Sequence, residues 1–180
     1  IQTIVIDEAD KLLSSDNITA INSIIKTTLK QRQILAFSAS VKQLAIDTAT
    51  EIMKDPVLFQ LSEEKLNNDI EHQFLVSTRR DKINTLRKTI HATQPTKAIV
   101  FINKNELIQD VANRLNYHKI KTVSIYGDAT KKERKEALDA FKFGKANVLV
   151  ASDLVARGLA LQDLTHVFNM DIPVALHEYT

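Results

Sequence analysis

Apolar residues along the first third of the chain occur either in short continuous runs or at helical spacing. Continuous runs at 4–6, 34–37 and 57–59 predict strands. Apolar positions three or four residues apart predict helices over 18–29 and 44–52. Strands that alternate with helices predict a parallel sheet covered by helices.

A second alternating pattern begins after a polar segment at 61–69, which reads as a linker. Strands are predicted at 74–76, 98–102, 123–125, 148–151 and 167–168. Helices are predicted from the apolar spacing at 83–90, 107–115 and 130–141, the last with a capping-box pair, Thr130 and Glu133. We therefore expect an α/β protein with parallel sheets, helices on both faces and two domains, residues 1–60 and 70–180.

Composition narrows the class of protein. The chain has 180 residues, of which 44% are hydrophobic and 26% charged, with only 3 Gly and 3 Pro, so it is neither disordered nor collagen-like. Cysteine is absent, which excludes disulfides and thiolate metal sites and suits a reducing, cytoplasmic location. No apolar run approaches the ~18 residues of a membrane span. The start Ile1-Gln2-Thr3 has no Met and no signal peptide, so we expect a piece of a longer protein.

Charge differs between the two predicted domains. Residues 1–68 carry 7 Lys and Arg against 9 Asp and Glu, whereas residues 69–180 carry 17 against 13. A mildly basic second part is suited to a phosphate backbone. A solvated surface explains the same imbalance, so charge alone does not decide between the two.

Polar clusters follow four of the predicted strands. They are Asp7–Asp10, Ser38–Ser40, Gly127-Asp128 and Ser152-Asp153. Ligands of open α/β sheets bind beyond the carboxyl ends of the strands. We therefore expect functional sites at the carboxyl edge of each sheet.

The first cluster has the form of a Walker B element, an apolar strand that ends in Asp-Glu. In such an element Asp7 would hold Mg²⁺ and Glu8 would orient water against a γ-phosphate. A lone acidic pair is more often a charged loop in solvent. The longer spelling Val5–Asp10, with Ser38-Ala39-Ser40 about thirty residues later, favours the nucleotide site.

With these segments in order, the chain resembles the DEAD-box family of ATP-dependent RNA helicases over essentially its whole length. The matching segments are Asp7-Glu8-Ala9-Asp10 (motif II), Ser38-Ala39-Ser40 (motif III, with Ser for Thr), 99–103 (motif IV), Tyr126-Gly127-Asp128 with Glu133-Arg134, 151–159 (motif V) and 171–179, which resembles the run-up to motif VI.

The resemblance implies two RecA-like domains that close on ATP, Mg²⁺ and a single RNA strand. Residues 1–60 would be the C-terminal part of the first domain, and 70–180 the second domain without its C-terminal end. The implied catalytic residues are Asp7, which also serves the metal, and Glu8. Coupling between domains would fall to Asp10, Ser38, Ser40, Asp153 and Arg157. RNA would be bound by Gly127, Asp128, Arg134 and Ser152.

Several family features are absent from the sequence. No Gly-x-x-x-x-Gly-Lys-[Ser/Thr] loop can be formed from the three glycines, Gly127, Gly144 and Gly158. The family's acidic residue after Arg-Gly-Leu is Ala160 here, and its Gln before Glu-Arg is Lys131. We therefore expect a helicase fragment without ATPase activity of its own. Two alternatives stay open: a degenerate helicase-like module that binds RNA or protein, and a DNA helicase or remodeller of the same superfamily.

Overall fold

The computed structural model describes residues 1–14, 16–38, 43–60, 69–152, 155, 159 and 161–171. The chain divides into two compact units, Ile1–Ile70 and Glu71–Thr180. Residues 61–68 of the predicted linker lie outside the described residues. Among the helices of the described part, none is both long and apolar enough to span a membrane.

The first unit contains two described strands that pair in parallel. Its elements are β1 (Thr3–Ile6), α1 (Ala9–Leu12), α2 (Ile18–Lys26), β2 (Gln33–Ala36) and α3 (Gln43–Ile52). Thr3 lies opposite Gln33, and Ile6 opposite Ala36. Ile6, Ala9 and Leu13 are buried together, and side chains of α2 and α3 pack against them. Burial of these apolar groups holds the two helices on the strand pair.

The second unit is a parallel sheet flanked by helices. Its elements are α4 (Lys82–Thr93), β3 (Ala98–Phe101), α5 (Asn105–Tyr117), β4 (Thr122–Ile125), α6 (Lys131–Lys142), β5 (Val148–Ala151) and β6 (His166–Asn169). The described strands are ordered β4-β5-β3-β6, and every neighbouring pair is parallel. All four strands therefore end at one edge of the sheet.

Alternate residues of the central strands bury against different helices. Ala98 and Val100 of β3 belong to a cluster with buried side chains of α4 and α5. Ile99, between them, packs with Leu149 and with Phe141 of α6. Because successive side chains of a strand point to opposite faces, the helices lie on both faces, as the sequence predicts. Continuous apolar runs such as 148–151 reflect burial on both sides.

Two predicted strands are wrong. Residues 57–59 and 74–76 have no strand assignment, and their side chains are exposed, with Phe59 88% and Phe74 89% accessible. Strand character comes from pairing with a neighbour, and neither segment pairs with a strand in the described ranges. Helix α1 was not predicted because four residues are too few to show a helical period.

Candidate functional site

Asp7 and Glu8 follow β1 at the carboxyl edge of the first unit. Glu8 adopts a left-handed backbone conformation, with φ 49° and ψ 48°, directly before α1. Its backbone N–H donates to Oδ1 of Asp7 over 2.9 Å. A left-handed conformation costs a residue with a side chain about 1 kcal/mol or more. This turn leaves both exposed carboxylates at the end of the strand.

Backbone hydrogen bonds tie the loop after β1 to the loop after β2. The N–H of Ala9 donates to the carbonyl of Phe37 over 2.9 Å, and the N–H of Phe37 to the carbonyl of Ile6 over 2.8 Å. The N–H of Asp10 donates to Oγ of Ser38 over a longer 3.4 Å. The acidic segment and the serine predicted for coupling are therefore in contact. Ser40 lies outside the described residues.

The chemistry of this edge suits a magnesium ion that is bound mainly through phosphates. Mg²⁺ is usually held by one or two carboxylates, with substrate phosphates and water as its other ligands. The bond from Glu8 uses one carboxylate oxygen of Asp7 and leaves Oδ2 for a cation. No group of three His, Cys, Asp or Glu able to hold a metal occurs among the residues that the structure describes. These carboxylates thus fit Mg²⁺ that arrives with a nucleotide.

Gly127 follows β4 at the carboxyl edge of the second unit. Its backbone N–H donates to Oδ1 of Asn105, the first residue of α5, over 2.7 Å. A Cβ added to Gly127 would meet the carboxamide of Asn105 at 3.4–3.6 Å, which is ordinary contact. The fold therefore tolerates a small side chain at this position. The side of the loop away from Asn105 remains available for close approach of a ligand.

Ser152 and Arg134 both form a hydrogen bond with Val155. Ser152 is 8% accessible, and its Oγ accepts from the N–H of Val155 over 3.3 Å. Nη2 of Arg134, on α6, donates to the carbonyl of Val155 over 2.8 Å. Besides these bonds, a serine hydroxyl can donate one hydrogen bond and a guanidinium several more. Asp153 and Arg157, assigned to coupling, lie outside the described residues.

Helix α6 begins at the predicted capping box. Oγ1 of Thr130 accepts from the N–H of Glu133, and Oε2 of Glu133 accepts from the N–H of Thr130 over 2.8 Å. The backbone hydrogen bond from Thr130, followed by that from its hydroxyl, holds the pKa of Glu133 below its ordinary value of 4.5. Asp128 is exposed just before this helix. The box fixes the start of the helix that carries Arg134.

A cluster around Asp171 was missed by the sequence analysis as a site feature. Its Oδ1 accepts from Nζ of Lys82 over 3.0 Å, and its Oδ2 accepts from the N–H of Asn103 over 3.2 Å. Nζ of Lys82 also donates to the carbonyl of Met170 over 2.8 Å. The ends of β3 and β6 are thereby joined to the start of α4.

Asn105 and Lys82 carried no recognisable signal in the sequence, and Asp171 was recognised only as the first residue of the segment that resembles the run-up to motif VI. Asn105 and Gly127 are separated by 22 residues, and Lys82 and Asp171 by 89. No local spacing rule covers such distances along the chain. The parallel order of strands that places loops at one edge was the only available indication.

Comparison with protein families places the two units in one class. Residues 81–180 match the helicase conserved C-terminal domain, and residues 1–48 match the DEAD/DEAH box helicase family. The order of the two matches is that of the motifs read from the sequence. The chain belongs to the DEAD-box helicase family.

Relatives of known name extend over almost all of the chain. The chain is 31% identical over 179 residues to the DEAD-box ATP-dependent RNA helicase CshC of Bacillus cereus, a match that covers 99% of the chain and 46% of CshC. It is 33% identical over 174 residues to the probable ATP-dependent RNA helicase YfmL of Bacillus subtilis, covering 96% and 46%. The chain spans about half the length of these relatives.

Solved structures confirm the RecA-like fold. Dbp5 of S. cerevisiae bound to RNA and ADP BeF3 matches with a TM-score of 0.84 at 22% identity, over 98% of this chain and 46% of that one. A DEAD box protein of Methanococcus jannaschii matches with a TM-score of 0.59 at 24% identity, over 99% and 48%. At such identities the likeness concerns the fold alone.

Proposed function

We propose that this chain is part of an ATP-dependent RNA helicase that couples ATP hydrolysis to RNA binding and local unwinding of duplexes. The observation that carries the proposal is the turn at Asp7 and Glu8, bonded to the loop that bears Ser38. A carboxylate pair at a strand end suits a metal-bound triphosphate. The names of the relatives favour RNA as the nucleic acid.

In the proposed mechanism each carboxylate has its own task. Mg²⁺, when bound with ATP, neutralises charge on the phosphates. Asp7 would hold the metal through Oδ2, the carboxylate oxygen that does not accept from the Glu8 N–H. Glu8 accepts a hydrogen bond from the attacking water and orients it toward the γ-phosphate. Because Asp10 contacts Ser38, a change at the acidic turn moves the loop after β2 as well.

The second unit supplies the proposed RNA contacts. The exposed backbone of Gly127 would lie against the sugar–phosphate backbone, and Ser152 and Arg134 would offer an O–H and N–H groups to phosphate oxygens. Asp128 is exposed beside Gly127 and can accept a hydrogen bond from a ribose hydroxyl. Contacts of this kind bind RNA of any sequence, as local unwinding of varied duplexes requires.

The 180-residue chain by itself should not turn over ATP. Its sequence has no loop to cradle the β- and γ-phosphates, and phosphoryl transfer depends on such positioning. Phosphate release is measured for the chain and for the full-length protein, each with and without RNA. We expect turnover from the full-length protein only, increased by RNA. RNA binding by a full-length protein without turnover would instead identify the non-catalytic module.

A further inference from the structure

A groove of about 390 Å³ lies between α4 and α5 in the second unit. Its volume falls in the lower part of the roughly 300–1,000 Å³ range of ligand sites. Three arginines and two aromatic rings are among its lining residues: Arg80, Arg87, Arg114, Tyr117 and His118. The contacts assigned above to nucleotide and RNA do not include these residues.

The charge of the groove is positive and only partly compensated. None of the described residues that line it is acidic. Arg114 is bonded through Nε to Asp110, which leaves its terminal amino groups for a ligand. Arg87 donates through Nε and Nη2 to the neutral Oδ1 of Asn84, so its charge is oriented but not cancelled. Guanidinium groups held in this way bind phosphate well, because they present planar N–H donors.

The aromatic residues of the groove suit an unstacked base. Tyr117 is 83% accessible, although its side chain is large and partly apolar. The ring of His118 contacts that of Tyr117 edge-on, with centroids 5.2 Å apart and planes at 83°. An edge-to-face contact covers at most one face of the Tyr117 ring, and because the residue is exposed the other face is open for stacking. Single-stranded nucleic acid is commonly bound by aromatic platforms beside basic side chains.

We propose that the α4–α5 groove is a second RNA-binding site, which takes a single strand with its phosphates on Arg80 and Arg87 and a base on Tyr117. An acidic protein segment would satisfy the arginines but would leave the open aromatic ring unexplained. A duplex would keep its bases stacked within the helix and out of reach of Tyr117. The groove would bind an RNA strand through contacts additional to those proposed at the carboxyl edge.

Charge reversal at adjacent residues of α4 provides a matched test. Arg87 lines the groove, whereas its neighbour Lys88 is exposed outside the lining. Arg87→Glu and Lys88→Glu change the net charge equally, so a general electrostatic effect would be the same for both. Affinity of the 180-residue chain for a labelled oligouridylate is measured by fluorescence anisotropy over a range of salt concentrations. Circular dichroism verifies that each variant is folded.

We expect Arg87→Glu to weaken binding about tenfold and to lower the log–log salt slope by about 0.7, the value for one phosphate on a single strand. Lys88→Glu should weaken binding less than about twofold. Tyr117→Ala should weaken binding about fivefold or more through loss of stacking. An RNA that contains 4-thiouridine should cross-link under ultraviolet light to the peptide with Tyr117 and His118.

Other outcomes would overturn the proposal. Equal losses of RNA affinity in Arg87→Glu and Lys88→Glu would show that RNA binds to a diffuse basic surface and not to the groove. Oligoglutamate that displaces the RNA, together with no effect of Tyr117→Ala, would identify an acidic protein segment as the occupant. Arg134→Met, which removes a proposed phosphate donor at the carboxyl edge, separates this site from the proposed RNA path there. Binding weakened in Arg134→Met but unchanged in Arg87→Glu would reject the groove and leave the helicase function standing.

Discussion

The backbone N–H of Gly127 donates to Oδ1 of Asn105 over 2.7 Å, across two loops at the carboxyl edge of the second sheet. Asn105 is the first residue of α5, and Gly127 lies in the loop after β4. A half-buried side chain therefore fixes the glycine that is proposed to approach RNA. The hydrogen-bonded side of that loop faces the start of α5, and the proposed RNA contact would lie on its other side.

Asn105→Ala removes the acceptor for the amide of Gly127. We expect the second unit to lose about 1 kcal/mol of stability, the usual net value of one hydrogen bond. Hydrogen exchange of the Gly127 amide, followed by NMR, should accelerate. Asn105→Asp is the control, since it keeps an oxygen at the same place and should keep the amide protected. Unchanged exchange in Asn105→Ala would show that the bond does not hold the loop.

Arg134→Met removes the guanidinium that donates to the Val155 carbonyl but keeps an unbranched apolar side chain at this position of α6. Hydrogen bonds from charged groups contribute about 1.5–3 kcal/mol, and partial exposure favours the lower end. We expect faster hydrogen exchange of the Val155 amide, whose N–H donates to Oγ of Ser152. We also expect weaker RNA binding. Weaker RNA binding with a smaller salt slope and unchanged exchange would assign Arg134 to phosphate alone.

Acid should weaken the start of α6 through Glu133. The pKa of its carboxyl is lowered in the folded protein, mainly by the backbone hydrogen bond from Thr130. The ionised form is therefore favoured by folding, and its contribution is present above pH 4.5 and lost as the pH falls through the lowered pKa. Urea unfolding monitored by circular dichroism at about pH 6 and about pH 3.5 measures this contribution. The free energy of unfolding of Glu133→Gln should differ less between the two pH values than that of the unaltered chain. An identical difference would rule out Glu133 as a source of the pH dependence.

Glu8→Gln tests the water-orienting role in the full-length protein. The amide keeps the size of the side chain but is a poor acceptor for the proton of water. We expect ATP binding near normal and hydrolysis slowed by roughly 10²-fold or more. Asp7→Asn is the comparison, and it should weaken Mg²⁺-dependent nucleotide binding. Steady-state phosphate release and nucleotide titration separate the two effects, and a normal rate in Glu8→Gln would place the water on another group.

The sequence alone determined the class of fold and the candidate edge of each sheet. Continuous apolar runs such as 148–151 are characteristic of strands buried on both faces, and the helical spacing at 107–115 identified α5. Both signals come from local periodicity, which does not depend on distant residues. The capping box of Thr130 and Glu133 was predicted for the same reason, because its partners are three residues apart.

Only the tertiary structure decided which strands pair and which side chains meet at the edges. Residues 57–59 and 74–76 have apolar patterns like those of true strands, yet their backbones do not pair in the described part of the chain. The bonds from Gly127 to Asn105 and from Lys82 to Asp171 join residues far apart in sequence. Such contacts depend on the order of the strands in the sheet and on the angles at which the helices pack. Packing across the whole unit determines that order and those angles.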